Sequence, residues 1–309
     1  MTSLLSPGRL IVLIPCYNCE AFIGPCLDSL LAQTHADWTA VVADDCSTDG
    51  TRQVIEGYSD PRIVPSFGAE RRYLMGNIVA NLRALDLQPS DVVAVLDGDD
   101  MLKPEALPEV WAAHRAGYDL VWTDEELLGA EGHSIGGPLK PNLPVRRQEW
   151  CVSHVRSFKG YLFTLMDDAD FRDEGGRYFR AAGDLSLYLP MAELAGIGKT
   201  RFIDRQLYVY RVHDNCNFKV KRQEQLDNNW LIRSRTPYEP QTEFFDVVVD
   251  ADGLEKAAIR PTAQALETRY PAPLTICLRH RIARSEEDSW RAYHNLWVGG
   301  RVYLKKELA

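Results

Sequence analysis

The chain has 309 residues, 45% of them hydrophobic and 26% charged, with a formal net charge of −9. That length can bury a sizeable core, and the acidic balance argues against nucleic acid as a main partner, because phosphate backbones are gripped by basic faces. No run approaches the roughly 18–20 apolar residues of a membrane span, and seven scattered cysteines read as thiols of a reduced, cytoplasmic protein rather than a disulfide framework.

In chain order, Leu10–Ile14, Thr39–Ala43, Val92–Leu96 and Asp119–Thr123 are largely continuous apolar runs. That is the pattern of parallel strands covered on both faces. Between the first two, Phe22, Ile23, Cys26, Leu27, Leu30 and Leu31 fall at helical spacing and predict a helix over Glu20–Gln33, with Asn18 as its N-cap. Further helices are expected over Gly50–Tyr58 and Met75–Leu87. The alternation βαβαβ predicts a doubly wound, mostly parallel, Rossmann-like α/β domain, whose ligands bind at the carboxyl ends of the strands.

The Gly- and Pro-rich stretch 129–150 reads as a loop or lid. A helix is expected over Asp184–Ala195, kinked or broken near Pro190, and a strand over Leu207–Val212. After Pro240 the composition changes, with strands expected at Phe245–Val249 and Leu274–Leu278 around a helix over Leu254–Tyr270. The expected organisation is therefore a domain over 1–240 and a small C-terminal α/β extension over 241–309. The role of that tail is open between acceptor binding, homodimerisation and a partial second module.

Three strand ends carry unusual chemistry. Asp97-Gly98-Asp99-Asp100 clusters carboxylates around a glycine that permits a tight turn. Crowded carboxylates need a cation, and hard oxygen ligands suit Mg2+ or Mn2+; the same residues also read as a solvated acidic turn. In Asp44–Gly50, Asp45 can accept a hydrogen bond from a base imide, while Ser47, Thr48 or Asp49 caps the next helix. In Pro15-Cys16-Tyr17-Asn18 the tyrosine can stack on a base or pack under the first helix.

Taken together, VLIPCYN, LLAQTH, VVADDCSTDGT and VLDGDD, in this order and spacing over residues 10–100, resemble the N-terminal half of family 2 glycosyltransferases. The resemblance implies the nucleotide-diphospho-sugar transferase fold, GT-A. It implies that Pro15, Tyr17 and Asp45 hold the nucleoside, that Asp97 and Gly98 face the donor, and that Asp99 of the DxD motif holds Mn2+ or Mg2+. A basic or polar donor contact falls among Arg71, Arg72 and Asn77. The match continues more loosely to about residue 240. Gly183-Asp184-Leu185-Ser186-Leu187-Tyr188 is similar to the family's ED-type motif and makes Asp184 the general base, although an alanine-glycine pair precedes it where the family has a second acid. An aspartate there can also be a plain N-cap. Leu207–His213 resembles the segment that presents a histidine to the metal or diphosphate, which makes His213, followed by Asp214-Asn215, a third metal ligand. His154, Arg156 and Phe158 stand where acceptor or sugar contacts are expected.

The function implied is a metal-dependent inverting glycosyltransferase, a hexosyltransferase or N-acetylhexosaminyltransferase. It moves sugar from a nucleotide-sugar, with UDP favoured, to a hydroxyl of a glycan, lipid-linked saccharide or protein. A lipid-linked acceptor would be met peripherally at the inner membrane face. The rival of a different class is a non-catalytic, glycosyltransferase-like binding subunit, which the retained Asp45, Asp97, Asp99 and Asp184 speak against. Cys16-Tyr17-Asn18-Cys19 fits the spacing of a redox motif, but nothing else fits that fold. A dehalogenase-type phosphatase leaves Asp44–Gly50 unexplained, and a nucleotidyltransferase needs a Gly-rich basic loop where IPCYN stands.

Overall fold

The structure, a computed structural model, describes residues 2–4, 8–132, 134–213, 221–241, 244–270, 274–282, 285, 290, 296–298 and 301–308. The chain forms two compact units. The larger comprises Pro7–His114 and Asp119–Pro240; the smaller comprises Met1–Ser6, Arg115–Tyr118 and Gln241–Ala309.

Strand β1 (Thr2–Leu4) belongs to the smaller unit. The larger unit then runs β2 (Leu10–Cys16), α1 (Ile23–Leu31), β3 (Thr39–Asp44), α2 (Thr51–Glu56), β4 (Ile63–Phe67), α3 (Tyr73–Ala84) and β5 (Val92–Val95). It continues through β6 (Met101–Leu102), α4 (Ala106–Arg115), β7 (Leu120–Leu128), β8 (Arg156–Lys159) and α5 (Gly160–Thr164) to α6 (Gly183–Ala195), β9 (Thr200–Arg211) and α7 (Arg222–Ser234). The sheet order is β4-β3-β2-β5-β8-β7-β9-β6. The first four strands are parallel, β8 is antiparallel to both its neighbours, β7 and β9 are parallel, and β6 is antiparallel to β9.

All seven residues of β2 are buried, as a strand covered on both faces requires. Helix α1 lays Ile23, Cys26, Leu27 and Leu30 onto it and β3. Each of the Ile and Leu side chains contributes roughly 1.5–3 kcal/mol by leaving water. The expected cap at Asn18 is not there. The helix starts at Ile23 without a side-chain cap, and Asn18, at φ 52°, instead accepts the Thr48 N–H on its side-chain oxygen at 2.9 Å, tying the first strand-end loop to the second. At α2, too, the expected cap is not there: the N-cap is Gly50, without a side-chain cap bond, and Asp49, the residue before it, accepts the Thr51 N–H at 3.0 Å.

Two strands escape the apolar-run rule. β4 sits at the sheet edge, where Pro65 costs no ladder bond. β8 reads Arg-Ser-Phe-Lys yet is wholly buried, because Lys159 pairs with buried Asp119 at 2.8 Å and Arg156 with Asp184 at 3.2 Å. Helix α6 is continuous through Pro190, where a kink or a break was expected, so there is no break. The second part of the presumed lid is tied down. The Gln148 amide bonds the backbone of Lys140 and Leu143, and Trp122 donates its indole N–H to the Gly137 carbonyl at 3.0 Å.

In the smaller unit the sheet order is β1-β10-β11-β13-β12, with β10 (Val247–Asp250), β11 (Ile276–Ile282), β12 (Leu296–Trp297) and β13 (Val302–Leu308). Helix α8 (Ile259–Arg269) buries Ile259, Ala263 and Leu266 against Val247, Ile276, Leu278, Val302 and Leu304. β10 and β11 begin two residues later than the sequence pattern placed them, and β1, β12 and β13 were not expected.

Candidate active site

Side by side, β2, β3 and β5 end at the same edge of the sheet, and their loops are stitched by backbone hydrogen bonds. Asp45 donates its N–H to the Cys16 carbonyl at 2.9 Å, and Gly98 to that of Pro15 at 3.1 Å. A Cβ on Gly98 would stand 2.6 Å from the Cβ of Cys16, so only glycine lets these two strand ends close. Around them lies a cavity of about 500 Å3 whose walls include Pro15, Tyr17, Asp45, Asn77, Asp97, Asp99 and His213. Gly98 lies behind this wall, and Asp184 is outside it.

Asp45 is 4% exposed. Its Oδ1 accepts the Arg72 N–H at 2.7 Å, at the start of α3. Burial raises its pKa above the usual carboxylate range despite the N–H groups of Arg72 and Tyr73. The two arginines part here. Arg72 gives the site its backbone while its guanidinium turns to Glu70 at 3.3 Å. Arg71 faces the cavity, with its guanidinium carbon 3.1 Å from the centre of the Tyr17 ring and its Nε 3.9 Å from Asp45 Oδ2. One face of Tyr17 is therefore covered by a cation. Asn77 reaches the wall, but its amide is engaged, donating to the Ala43 carbonyl at 2.6 Å and accepting from Asn81 at 2.9 Å.

The three acids of the β5 end differ in surroundings. Asp100 is 1% exposed and accepts the Tyr208 hydroxyl and the Arg211 N–H, both at 2.7 Å. Burial first, then the charges of Asp99 and Asp97, pushes its pKa up to about 8. Asp99 Oδ2 lies 3.0 Å from His213 Nε2; its pKa too is raised, by burial and by Asp97. Asp214-Asn215, expected beside this histidine, lie outside the described residues.

Asp97 goes the other way. Burial works to raise its pKa, but the His154 imidazole and the Arg156 charge outweigh it and hold it below the ordinary range. His154 Nε2 stands 3.6 Å from Asp97 Oδ2, and its Nδ1 is 2.7 Å from Glu125 Oε2. Burial and Arg156 disfavour the imidazolium, yet the carboxylates of Asp97 and Glu125 lift its pKa to about 9. His154 is therefore a charged support beneath Asp97, stacked on Tyr208 at 4.7 Å. Glu125 follows a register shift in the β7–β9 ladder, the kind of irregularity that re-aims a side chain. No apolar pattern marks it; the one signal is an acid inside a strand.

Arg156, two residues after His154, reaches Asp184 rather than the cavity wall, and Phe158 is a core residue with no exposure. Asp184 stands in the first turn of α6 but does not cap it. The N-cap is Ala182, at φ 55°, with no side-chain cap bond. Instead, Asp184 Oδ2 accepts the Trp150 indole N–H and Arg156 Nη2, each at 3.2 Å. Among the described residues, no three His, Cys, Asp or Glu side chains are gathered as a complete metal cage, and no helix is long and apolar enough to cross a membrane.

Comparisons with known proteins bear on the family and the fold. Residues 11–128 match the model of Glycosyl transferase family 2. The glycosyltransferase EpsE of Bacillus subtilis is 30% identical over 202 residues, 56% of this chain and 69% of that protein. TuaG, of teichuronic acid biosynthesis in the same species, is 38% identical over 98 residues, 31% of this chain and 38% of that protein. The match spans only 23% and 31% of the length of two further curated relatives. Among solved structures, S. aureus TarS 1-349 in complex with UDP-GlcNAc superposes with a TM-score of 0.57 at 20% identity, over 73% of this chain and 65% of that one. The mannosyltransferase PcManGT of Pyrobaculum calidifontis, in complex with GDP-Man and Mn2+, gives 0.51 at 17%, over 76% and 66%. The larger unit has the GT-A fold, and the chain belongs to glycosyl transferase family 2.

Proposed function

We propose that the chain is an inverting glycosyltransferase that takes a sugar from a nucleotide-sugar, UDP-linked in the first instance, and places it on an acceptor hydroxyl. One observation carries the reading: three adjacent strand ends bring Tyr17, Asp45, and the pair Asp97 and Asp99 to the wall of one cavity, which Arg71 and His213 also line. Asp45 and Tyr17, backed by Arg71, receive the nucleoside at one end. Asp97, kept ionised by His154, faces the sugar and diphosphate end.

A carboxylate oxygen of Asp99 suits either Mn2+ or Mg2+, whereas the imidazole nitrogen of His213 suits Mn2+ better than the harder Mg2+. These cations are commonly held by one or two protein ligands and completed by substrate phosphates, so the pair fits such an ion. When bound, the cation offsets charge on the departing diphosphate. Asp184 takes the proton of the acceptor hydroxyl. The acceptor oxygen forms its bond to the anomeric carbon as the bond to the diphosphate oxygen breaks, and that electron pair leaves with the nucleoside diphosphate. A single displacement inverts the anomeric centre. The acceptor in this reading is a glycan, lipid-linked saccharide or protein hydroxyl, met in the cytoplasm or at the inner membrane face.

The test is a panel of UDP-, GDP- and dTDP-sugars, both hexoses and N-acetylhexosamines, offered with Mn2+ and glycan acceptors, with the product anomer read by NMR. An inverted product from one UDP-sugar supports the reading. A retained anomer would contradict the single displacement, and binding of every nucleotide without transfer would favour the binding-subunit alternative.

A further inference from the structure

The carboxylate of Asp184 is held from one side only. Both of its hydrogen bonds, from the Trp150 indole at 3.2 Å and from Arg156 Nη2 at 3.2 Å, go to Oδ2. Oδ1 receives none from a described residue. The two donors are themselves fixed. Arg156 is 8% exposed and donates Nε to the Val152 carbonyl at 3.0 Å, with its guanidinium over the Tyr188 ring. Trp150 packs against the cluster of Phe179, Leu185, Leu189 and Ile232.

The segment that carries Trp150 is clamped to the same helix a second time. Arg146 forms a bidentate pair with Glu193 of α6, at 2.7 and 2.8 Å, both partners buried. Arg146 also donates to the Ile232 carbonyl, while its own carbonyl accepts Arg233 Nη1 at 2.7 Å. Residues 146–150 thus form a strap fastened along α6, one anchor at Glu193 and the other at Asp184. If the Trp150 bond were only a fastening, its loss would weaken folding and leave turnover per folded molecule unchanged. The geometry points elsewhere, because two donors from different segments converge on one oxygen, Oδ2, and leave Oδ1 without a donor from a described residue, and Asp184 is not spent on capping the helix.

We propose that Trp150 and Arg156 are positioning residues: by holding Oδ2 they fix the carboxylate plane and present Oδ1 as the oxygen that takes the acceptor proton. The proposal rests on the reading of Asp184 as the base. A general base acts only within hydrogen-bond reach of its proton, and a misplacement of about 1 Å can cost on the order of 10²-fold in rate. The strap therefore joins the Gly- and Pro-rich segment to catalysis through a single N–H.

Trp150→Phe keeps the ring and removes that N–H. The expected result is a fall in kcat of about tenfold, with the donor KM and the nucleotide Kd within about twofold of wild type and the thermal midpoint nearly unmoved. Arg156→Lys, which keeps the charge but loses the guanidinium fork, is expected to split kcat from KM in the same way. Unchanged kcat in folded Trp150→Phe would overturn the proposal, as would a loss that falls on donor KM instead. Asp184→Asn, assayed alongside, separates the two ideas. If it is inactive while Trp150→Phe turns over like wild type, the base stands and the positioning role falls. If it turns over normally, both fall.

Discussion

The two halves of the larger unit build their parts of the site by different means. In the first, β2, β3 and β5 deliver Pro15, Asp45 and Asp97 directly from strand ends, and the loops are joined backbone to backbone. In the second, Asp184 is approached by side chains 28 and 34 residues away in sequence, Arg156 and Trp150, and it has no backbone stitch to the cavity. The proposed donor side is therefore held by the sheet itself, and the proposed base by a network of side chains. A single substitution should change chemistry on the first side only by removing a functional group. On the second, it should also act by moving one.

The largest effect is expected at the base. Asp184→Asn should lower kcat by about 10²–10⁴-fold in initial-rate assays, while nucleotide binding persists; loss of both together would erase the contrast. Asp99→Ala should cost about 10²–10³-fold in kcat and, unlike the first variant, weaken Mn2+-dependent nucleotide binding, as titration calorimetry would show. Next comes Arg146→Ala, which leaves Glu193 buried without its partner. About 3–5 kcal/mol of stability should be lost, read by urea unfolding, with the donor KM of the remaining folded protein unchanged. Arg71→Ala should weaken nucleotide binding by about 0.5–2 kcal/mol and leave stability alone.

A smaller effect belongs to Asp91, far from the proposed chemistry. Burial works to raise its pKa, but the side-chain and backbone bonds from Arg9 and the N–H of Gln88 outweigh it and hold it below the usual range. Its folded pKa thus lies under the unfolded value, so its stabilisation is complete above about pH 4 and is lost as pH falls through the folded pKa. Thermal midpoints below about pH 4 should depend less on pH in Asp91→Asn than in wild type.

The difference between the halves also governs what the sequence reveals. An apolar run followed by acids and a glycine marks a strand end whatever surrounds it, and β2, β3 and β5 are legible for that reason. β8 is not, because its charges are neutralised by Asp119 and Asp184, partners that no local pattern discloses. The proposal of Asp184 as the base rests on resemblance, whereas Trp150, Glu125 and the supporting role of His154 depend on distant segments meeting. The choice between Arg71 and Arg72 turns on where α3 begins. The helix opens at Tyr73, which commits the Arg72 N–H to Asp45 and leaves Arg71 to face Tyr17. The cap at Asn18 failed because α1 starts further on, freeing that side chain to bind the neighbouring loop.

In the proposed mechanism the donor is held by the strand ends and the proton is taken elsewhere, by Asp184. Titration of UDP with and without Mn2+ into Asp184→Asn and Asp99→Ala tests it most directly. Asp184→Asn is expected to bind with the wild-type affinity and metal dependence, and Asp99→Ala to lose the metal-dependent part. Equal loss in both variants, or metal-dependent binding that survives in Asp99→Ala, would contradict it.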